Sequence, residues 1–138
     1  MYAEDASRKF LPSIGFLKKY IEPAPREGLR IDTGVTEGSE ISIYYDPMIS
    51  KLITHAKTRD EALKLMNECI DEYVIQGVVD NLGFCKSMIN NDLIKKGTYD
   101  TSFIGKTYPE GYKGEPLVAD DRLLLAAFAA MMKNILIT

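Results

Sequence analysis

The stretch Ile41-Ser42-Ile43-Tyr44-Tyr45-Asp46-Pro47-Met48-Ile49-Ser50-Lys51-Leu52 decides the fold of this 138-residue chain. Asp46-Pro47 separates two runs rich in β-branched and aromatic residues, which favour strands. Because proline has no backbone N–H, it breaks a strand that lies inside a sheet. We therefore predict one strand that ends at Tyr45 and a second that covers 48–55. In the first strand, Ile41, Ile43 and Tyr45 are expected to share one face.

Further strands are predicted on the N-terminal side of this stretch. Residues 16–21 supply strand-prone bulk before Pro23 and Pro25 stop the run. The segment Leu29-Arg30-Ile31-Asp32 alternates apolar and charged residues, as a half-buried strand does. Several short strands in succession indicate an antiparallel sheet.

Two helices are predicted after the strands. Thr58-Arg59-Asp60-Glu61 has the pattern of a capping box, and an apolar stripe at helical spacing follows it in Ala62, Met66, Cys69 and Tyr73. A short return strand is expected within 74–79. Asp80 or Asn81 can then cap a second helix, with Leu82, Cys85, Met88 and Ile89 facing inward. This order predicts an α+β fold, mainly an antiparallel sheet with two packed helices.

The C-terminal part of the chain has a different character. Tyr108-Pro109-Glu110-Gly111 predicts a turn, and Asp120 or Asp121 opens a helix in which residues 123–132 are all apolar. Ten apolar residues are too few to span a bilayer. A helix that is apolar on every side must be enclosed by other structure. We therefore expect its neighbours to lie in sequence outside this chain, and the isolated chain to self-associate through helix 118–137, including Leu124, Phe128 and Met131.

Composition and single motifs exclude several classes of function. A net charge of −3 and a pI near 5.2 argue against binding to a nucleic-acid backbone, which needs a basic patch. The two cysteines do not form a disulfide framework, and a single His without a CxxC or HExxH motif predicts no metal site. No glycine-rich phosphate loop is present, and no targeting signal follows Met1. No self-sufficient active site is predicted.

Four blocks of the sequence together resemble one known family. They are Tyr2-Ala3-Glu4-Asp5, Leu11-Pro12-Ser13-Ile14-Gly15, Gly28-Leu29-Arg30 and the Tyr44-to-Leu52 part of the stretch quoted above. In this order and spacing they are similar to the C-terminal lobe of biotin carboxylase, which would cover residues 1–110. Residues 111–138 resemble the junction and first helix of the domain that links this lobe to a carboxyl-carrier domain. Tyr108-Pro109-Glu110-Gly111-Tyr112-Lys113-Gly114 is similar to the YPDGFKG of propionyl-CoA carboxylase α subunits, and favours that branch.

The resemblance implies a part of a ligase. In the family, an ATP-grasp part uses ATP, bicarbonate and Mg or Mn to carboxylate biotin held on the carrier domain, and a carboxyltransferase (β) subunit passes the carboxyl group to the acyl-CoA. The family's biotin-binding arginine is expected just before Met1, and the AMKM biotinylation motif is absent. The chain alone is therefore expected to contain no catalytic residue and to bind none of these cofactors. The location implied is the mitochondrial matrix in a eukaryote, or the cytoplasm in a bacterium.

The resemblance also suggests which residues face the site. Tyr44, Tyr45 and Asp46 are candidates for the wall on the biotin side, with Asp46 orienting a neighbouring arginine. The alternative is that the tyrosines pack the sheet and Asp46 caps the turn at Pro47. Phe10 is a further candidate for contact with the biotin ring, although Ala6 replaces the family's proline and the loop after it is one residue shorter.

One position is a candidate for subunit assembly. Arg30 corresponds to a dimer-interface arginine of single-domain bacterial enzymes, but Glu27 stands near the place of their interface aromatic residue. Two alternative functions stay open: the same lobe of a pyruvate, methylcrotonyl-CoA or acetyl-CoA carboxylase, and a non-catalytic interaction module that binds through the C-terminal helix.

Overall fold

A computed structural model of the protein describes residues 1–114 and 119–137. Within these residues the chain forms eight short strands, five α-helices and a 3-10 helix at Ala6–Arg8, in an α+β arrangement as predicted. The strands are β1 (Glu4–Asp5), β2 (Leu11–Pro12), β3 (Gly15–Phe16), β4 (Lys19–Ile21), β5 (Leu29–Thr33), β6 (Glu40–Ile41), β7 (Ser50–Thr54) and β8 (Val74–Gln76). The helices are α1 (Arg59–Glu72), α2 (Leu82–Asn90), α3 (Asp92–Lys96), α4 (Phe103–Thr107) and α5 (Ala119–Ile137).

The strands form antiparallel pairs, as the sequence predicts. Among the described residues the pairs are β1 with β2, β3 with β6, β4 with β8, and β5 with β7. The β5–β7 ladder has the most residue pairs, and its register runs from Leu29 opposite Thr54 to Thr33 opposite Ser50. Gly28 precedes this ladder with φ +78°, and a Cβ there would lie 2.3 Å from the carbonyl oxygen of His55. Only glycine therefore fits at the start of β5.

The predicted strand that ends at Tyr45 is wrong in its extent. Strand β6 stops at Ile41, which is buried, whereas Ile43 is exposed in a turn. The Tyr44 N–H donates to the hydroxyl oxygen of Ser42 at 3.2 Å, a local bond that competes with the ladder. The predicted strand 48–55 is likewise shortened to Ser50–Thr54, and Met48 forms only an isolated bridge with Tyr2.

Helix α1 begins as its sequence predicts. The Glu61 N–H donates to the Thr58 hydroxyl at 3.3 Å, and the Thr58 N–H donates to the Glu61 carboxylate at 3.1 Å, which completes the capping box. On the predicted stripe, Cys69 and Tyr73 are buried and Ala62 and Met66 are half-buried.

The return strand and the second helix depart from expectation in detail. Strand β8 ends at Gln76 because Gly77 has φ +109° and approaches the Phe16 carbonyl too closely for any Cβ, so 78–79 are not strand. At the start of α2 it is the Asp80 carboxylate that accepts from the Leu82 N–H, at 2.9 Å. The Asn81 side chain makes no capping bond. Phe84, which the predicted inward face omitted, is among the most buried residues of α2.

The core joins the sheet pairs to α1 and α2. One buried cluster contains Ala3, Leu17, Ile41 and Ile49, and another contains Ile70, Tyr73 and Leu82. Met1, Tyr20 and Ile75 are partly buried against both clusters. The N-terminal residues are therefore part of the core rather than an overhanging end.

Helix α5 is not enclosed by the described part of the chain. Asp120 and Asp121 lie in its first turn, as predicted, but every described side chain from 120 to 133 is exposed. Leu123 and Leu124 are more than two-thirds exposed, at 73% and 70%. The prediction that other structure encloses this helix concerns sequence outside this chain and stays a prediction. No helix within those residues is long and apolar enough to cross a membrane.

Candidate functional site

The N-terminal residues run alongside the segment that follows Asp46-Pro47. The Met1 amino group donates to the Ser50 carbonyl at 2.7 Å, and the Ile49 N–H donates to the Met1 carbonyl at 2.9 Å. The Ala3 N–H donates to the Pro47 carbonyl at 2.8 Å. Two sequence blocks that are more than forty residues apart thus lie side by side, with Tyr2 opposite Met48 in an antiparallel bridge.

Asp46 closes the turn at Pro47. Its Oδ1 atom accepts a hydrogen bond from the Met48 N–H at 2.9 Å, as the turn-capping alternative predicts. Its Oδ2 atom accepts no hydrogen bond from any residue of the described chain, and the side chain is exposed. The turn therefore uses one carboxylate oxygen and leaves the other able to bind an external donor.

Tyr44 and Tyr45 stand in solvent beside Asp46. They are 87% and 80% exposed, so the alternative in which they pack the sheet is wrong. Two adjacent exposed aromatic rings next to a carboxylate form a surface that has an apolar part and a hydrogen-bond acceptor.

The loop that carries Phe10 is strained. Lys9 and Phe10 have φ values of 57° and 59°, the left-handed region that non-glycine residues rarely adopt. The Phe10 N–H donates to the Asp5 carbonyl at 2.9 Å, and the Phe10 ring meets Phe84 edge to face with centroids 4.9 Å apart. These contacts hold the loop in its conformation and place Phe10 against α2.

Asn81 was not predicted as part of this site. It is buried, and its Oδ1 atom accepts from the Tyr2 N–H at 3.0 Å while its own N–H donates to the Tyr2 carbonyl at 3.1 Å. The sequence presents it only as a possible helix cap, because the bond spans 79 positions and has no local signature. Only the tertiary structure brings Asn81 to the N-terminal segment.

Arg30 lies on β5 with an exposed side chain. Its guanidinium forms two 2.8 Å hydrogen bonds with Asp32, a bidentate ion pair that holds the pKa of the Asp32 carboxyl below its ordinary value. The Arg30 guanidinium thus donates to a neighbour on its own strand. The remaining predicted interface residues, Leu124, Phe128 and Met131, all lie exposed on α5.

The described residues contain no cluster of metal-ligating side chains. No group of three or more His, Cys, Asp or Glu side chains among them could hold a metal ion. Both cysteines are free, and burial raises the pKa of the Cys69 and Cys85 thiols, which disfavours a reactive thiolate. The exposed Asp46 carboxylate and the rings of Tyr44 and Tyr45 offer a hydrogen-bond acceptor next to apolar surface.

A family model that describes the biotin carboxylase C-terminal domain matches residues 1–106. The chain belongs to this family. The resemblance inferred from the four sequence blocks is thereby confirmed. The match ends just before the 108–111 turn, in which the Gly111 N–H donates to the Tyr108 carbonyl at 2.9 Å.

Relatives of this biotin carboxylase C-terminal domain belong to larger proteins. The chain is 47% identical to the mitochondrial propionyl-CoA carboxylase alpha chain of Sus scrofa, over 96% of this chain and 18% of that protein. It is 36% identical to the mitochondrial methylcrotonoyl-CoA carboxylase subunit alpha of Dictyostelium discoideum, over 98% of this chain and 19% of that one. The chain thus spans less than a fifth of the length of these relatives.

A solved structure shares the fold. It is the biotin carboxylase domain dimer of the Hydrogenobacter thermophilus 2-oxoglutarate carboxylase, in complex with MgADP and bicarbonate. The TM-score is 0.74 and the identity 30%, over 78% of this chain and 23% of that chain. This agreement confirms the predicted fold class.

Proposed function

We propose that this chain is the C-terminal lobe of the biotin carboxylase part of a propionyl-CoA carboxylase α subunit, and that it forms the biotin-side wall of the active site. The observation that carries the proposal is the pairing of Tyr2 with Met48, which aligns the N-terminal block with the Tyr44-Tyr45-Asp46 turn. The Tyr44-Tyr45-Asp46 turn has exposed aromatic and polar groups, and the N-terminal block beside it is half-buried to buried. The higher identity to a propionyl-CoA carboxylase than to a methylcrotonoyl-CoA carboxylase supports the propionyl branch.

The residues of the proposed wall have two different roles, apolar contact and hydrogen bonding. The exposed rings of Tyr44 and Tyr45 offer apolar surface to the biotin bicycle, and Phe10 borders it from the loop held by Phe84. The free Oδ2 atom of Asp46 accepts a charge-assisted hydrogen bond from an arginine of the site. A carboxylate that orients an arginine fixes the ligand geometry without entering the reaction itself.

The whole reaction requires parts beyond this chain. In the proposed enzyme an ATP-grasp part supplies carboxyphosphate from ATP and bicarbonate with Mg or Mn, and biotin arrives on a carrier domain. A carboxyltransferase subunit then converts propionyl-CoA to methylmalonyl-CoA. The enzyme would reside in the mitochondrial matrix in a eukaryote and in the cytoplasm in a bacterium.

A comparison of the 138-residue chain with the full-length parent protein tests the proposal. The parent is expected to hydrolyse ATP in a bicarbonate-dependent manner and to carboxylate biotin, because preorganised groups around the phosphates are present only there. The chain alone is expected to show neither activity above a control without protein. ATP turnover by a clean preparation of the chain, or no biotin carboxylation by the parent, would contradict the proposal.

A second candidate function is a non-catalytic interaction module. The exposed apolar side chains of α5 favour it, because monomeric proteins rarely expose large contiguous apolar patches. The discriminating measurement is the same parent assay. Carboxylation by the parent that survives deletion of the lobe would support the module, and its complete loss would support the enzyme.

A further inference from the structure

We infer that Asn81 is a positioning residue of the biotin-side wall, an inference that rests on the proposed function. The hydrogen-bonding groups of the N-terminal backbone point to two sides of the chain, and each side has a different partner. Residues 1 and 3 bond to Pro47, Ile49 and Ser50, whereas the N–H and carbonyl of Tyr2 both point to Asn81. Asn81 therefore takes the place that the next strand of a sheet would occupy.

The Asn81 side chain is available for this role because another residue caps the helix. The Asp80 carboxylate accepts from the Leu82 N–H, so Asn81 Oδ1 is not used at the start of α2. Asn81 is only 9% exposed, and without its Oδ1 atom the Tyr2 N–H would lose its hydrogen-bond partner. An unmade bond of this kind is more costly than the bond itself is worth.

The start of α2 contacts both parts of the proposed wall: the segment that leads to the Asp46 turn and the loop that carries Phe10. Asn81 binds Tyr2, which lies opposite Met48, whose N–H in turn binds Asp46. Three positions later on the same helix, Phe84 packs against Phe10. A shift of the Tyr2 backbone away from α2 would therefore move the Asp46 turn relative to Phe10. Small displacements of orienting groups reduce reaction rates without unfolding the protein.

The test uses the full-length parent protein with free biotin as the acceptor. Asn81→Ala is expected to lower kcat/KM for biotin about ten-fold, and to leave bicarbonate-dependent ATP hydrolysis without biotin within about two-fold of the parent. Asn81→Asp retains an acceptor oxygen and is expected to recover most of the loss. Asn81→Gln moves the acceptor by one methylene and is expected to lower kcat/KM for biotin to a similar extent. It serves as the test if Asn81→Ala does not fold.

Ile94→Ala is the matched control. Ile94 is an apolar residue buried on α3, outside the proposed wall segments, so its truncation is expected to lower stability alone. Three results would overturn the positioning role. The first is an equal loss of both activities in Asn81→Ala and Asn81→Gln, and the second is unchanged kinetics in these variants. The third is a similar biotin-specific loss in Ile94→Ala. If the parent itself carboxylates no biotin, the proposed function falls, and this inference with it. If the parent is active but insensitive to Asn81, only the inference falls.

Discussion

The hydroxyl groups of Tyr73 and Ser50 lie 3.1 Å apart in the interior, where α1 ends against β7. Ser50 is 2% exposed, and its hydroxyl has no other hydrogen-bond partner among the described residues. The Tyr73 hydroxyl also lies 3.1 Å from that of Tyr20, which donates to the Glu22 carboxylate at 2.9 Å. A chain of hydrogen bonds thus runs from Glu22 to Ser50 on β7, and the Ser50 carbonyl accepts from the Met1 amino group.

Removal of the Tyr73 hydroxyl is expected to destabilise the chain. Tyr73→Phe keeps the ring but leaves the buried Ser50 hydroxyl unpaired, at a cost of about 1–3 kcal/mol. Urea unfolding followed by circular dichroism measures the change. The addition of Ser50→Ala should cost little more, because the unpaired group is then gone. Additive losses in the double variant would show that the two hydroxyls do not act as a pair.

The same tyrosine predicts a loss of stability at alkaline pH. Burial raises the pKa of Tyr73 well above its ordinary value, so the folded state keeps a proton that the unfolded chain releases near about pH 10. The contribution of Tyr73 is fully present below about pH 10 and is lost as the pH rises further, with a slope of at most about 1.4 kcal/mol per pH unit. Unfolding free energies between about pH 9 and 11 should fall less steeply in Tyr73→Phe. An equal slope in both proteins would refute the assignment.

Asp46→Asn separates the turn from the proposed site. The asparagine oxygen can still accept from the Met48 N–H, so the melting temperature should change little. The lost charge should lower biotin carboxylation by the full-length parent about ten-fold, or roughly 1.4 kcal/mol of transition-state stabilisation. The measurements are steady-state carboxylation and thermal unfolding of the same preparation. A large fall in melting temperature with normal activity per folded molecule would show that Asp46 only caps the turn at Pro47.

The tail should drive self-association of the isolated chain. Apolar side chains of α5 are exposed in the described structure, including Leu124, Phe128 and Met131. A chain that ends at Gly114 is expected to remain monomeric, whereas the chain that ends at Thr138 should form larger species as its concentration rises. Light scattering at several concentrations measures this, and Phe128→Glu in the long chain is the control that should restore the monomer. Monomers throughout, without extra dye-accessible apolar surface, would mean that the helix folds back onto the lobe.

The sequence predicted the features that depend on neighbours along the chain. The capping box at Thr58 and Glu61 and the apolar stripe of α1 are local patterns, so they appeared as expected. The turn at Asp46-Pro47 was also predicted, because an aspartate side chain can accept a hydrogen bond from the backbone N–H two residues further on. Strand extents were harder, since β6 ends where Ser42 offers a local bond that no periodicity reveals.

The sequence by itself determined the family, the α+β class and the residue types that the lobe can present: four short blocks in order carry the family, and apolar spacing carries the class. The tertiary structure alone decided what those residues touch. It placed Tyr2 between Met48 and Asn81, left Tyr44 and Tyr45 in solvent, and turned Phe10 onto Phe84. The reason is physical: capping and periodicity act within a few residues, whereas backbone pairing and burial join groups as many as 79 positions apart, whose separation along the chain carries no signal.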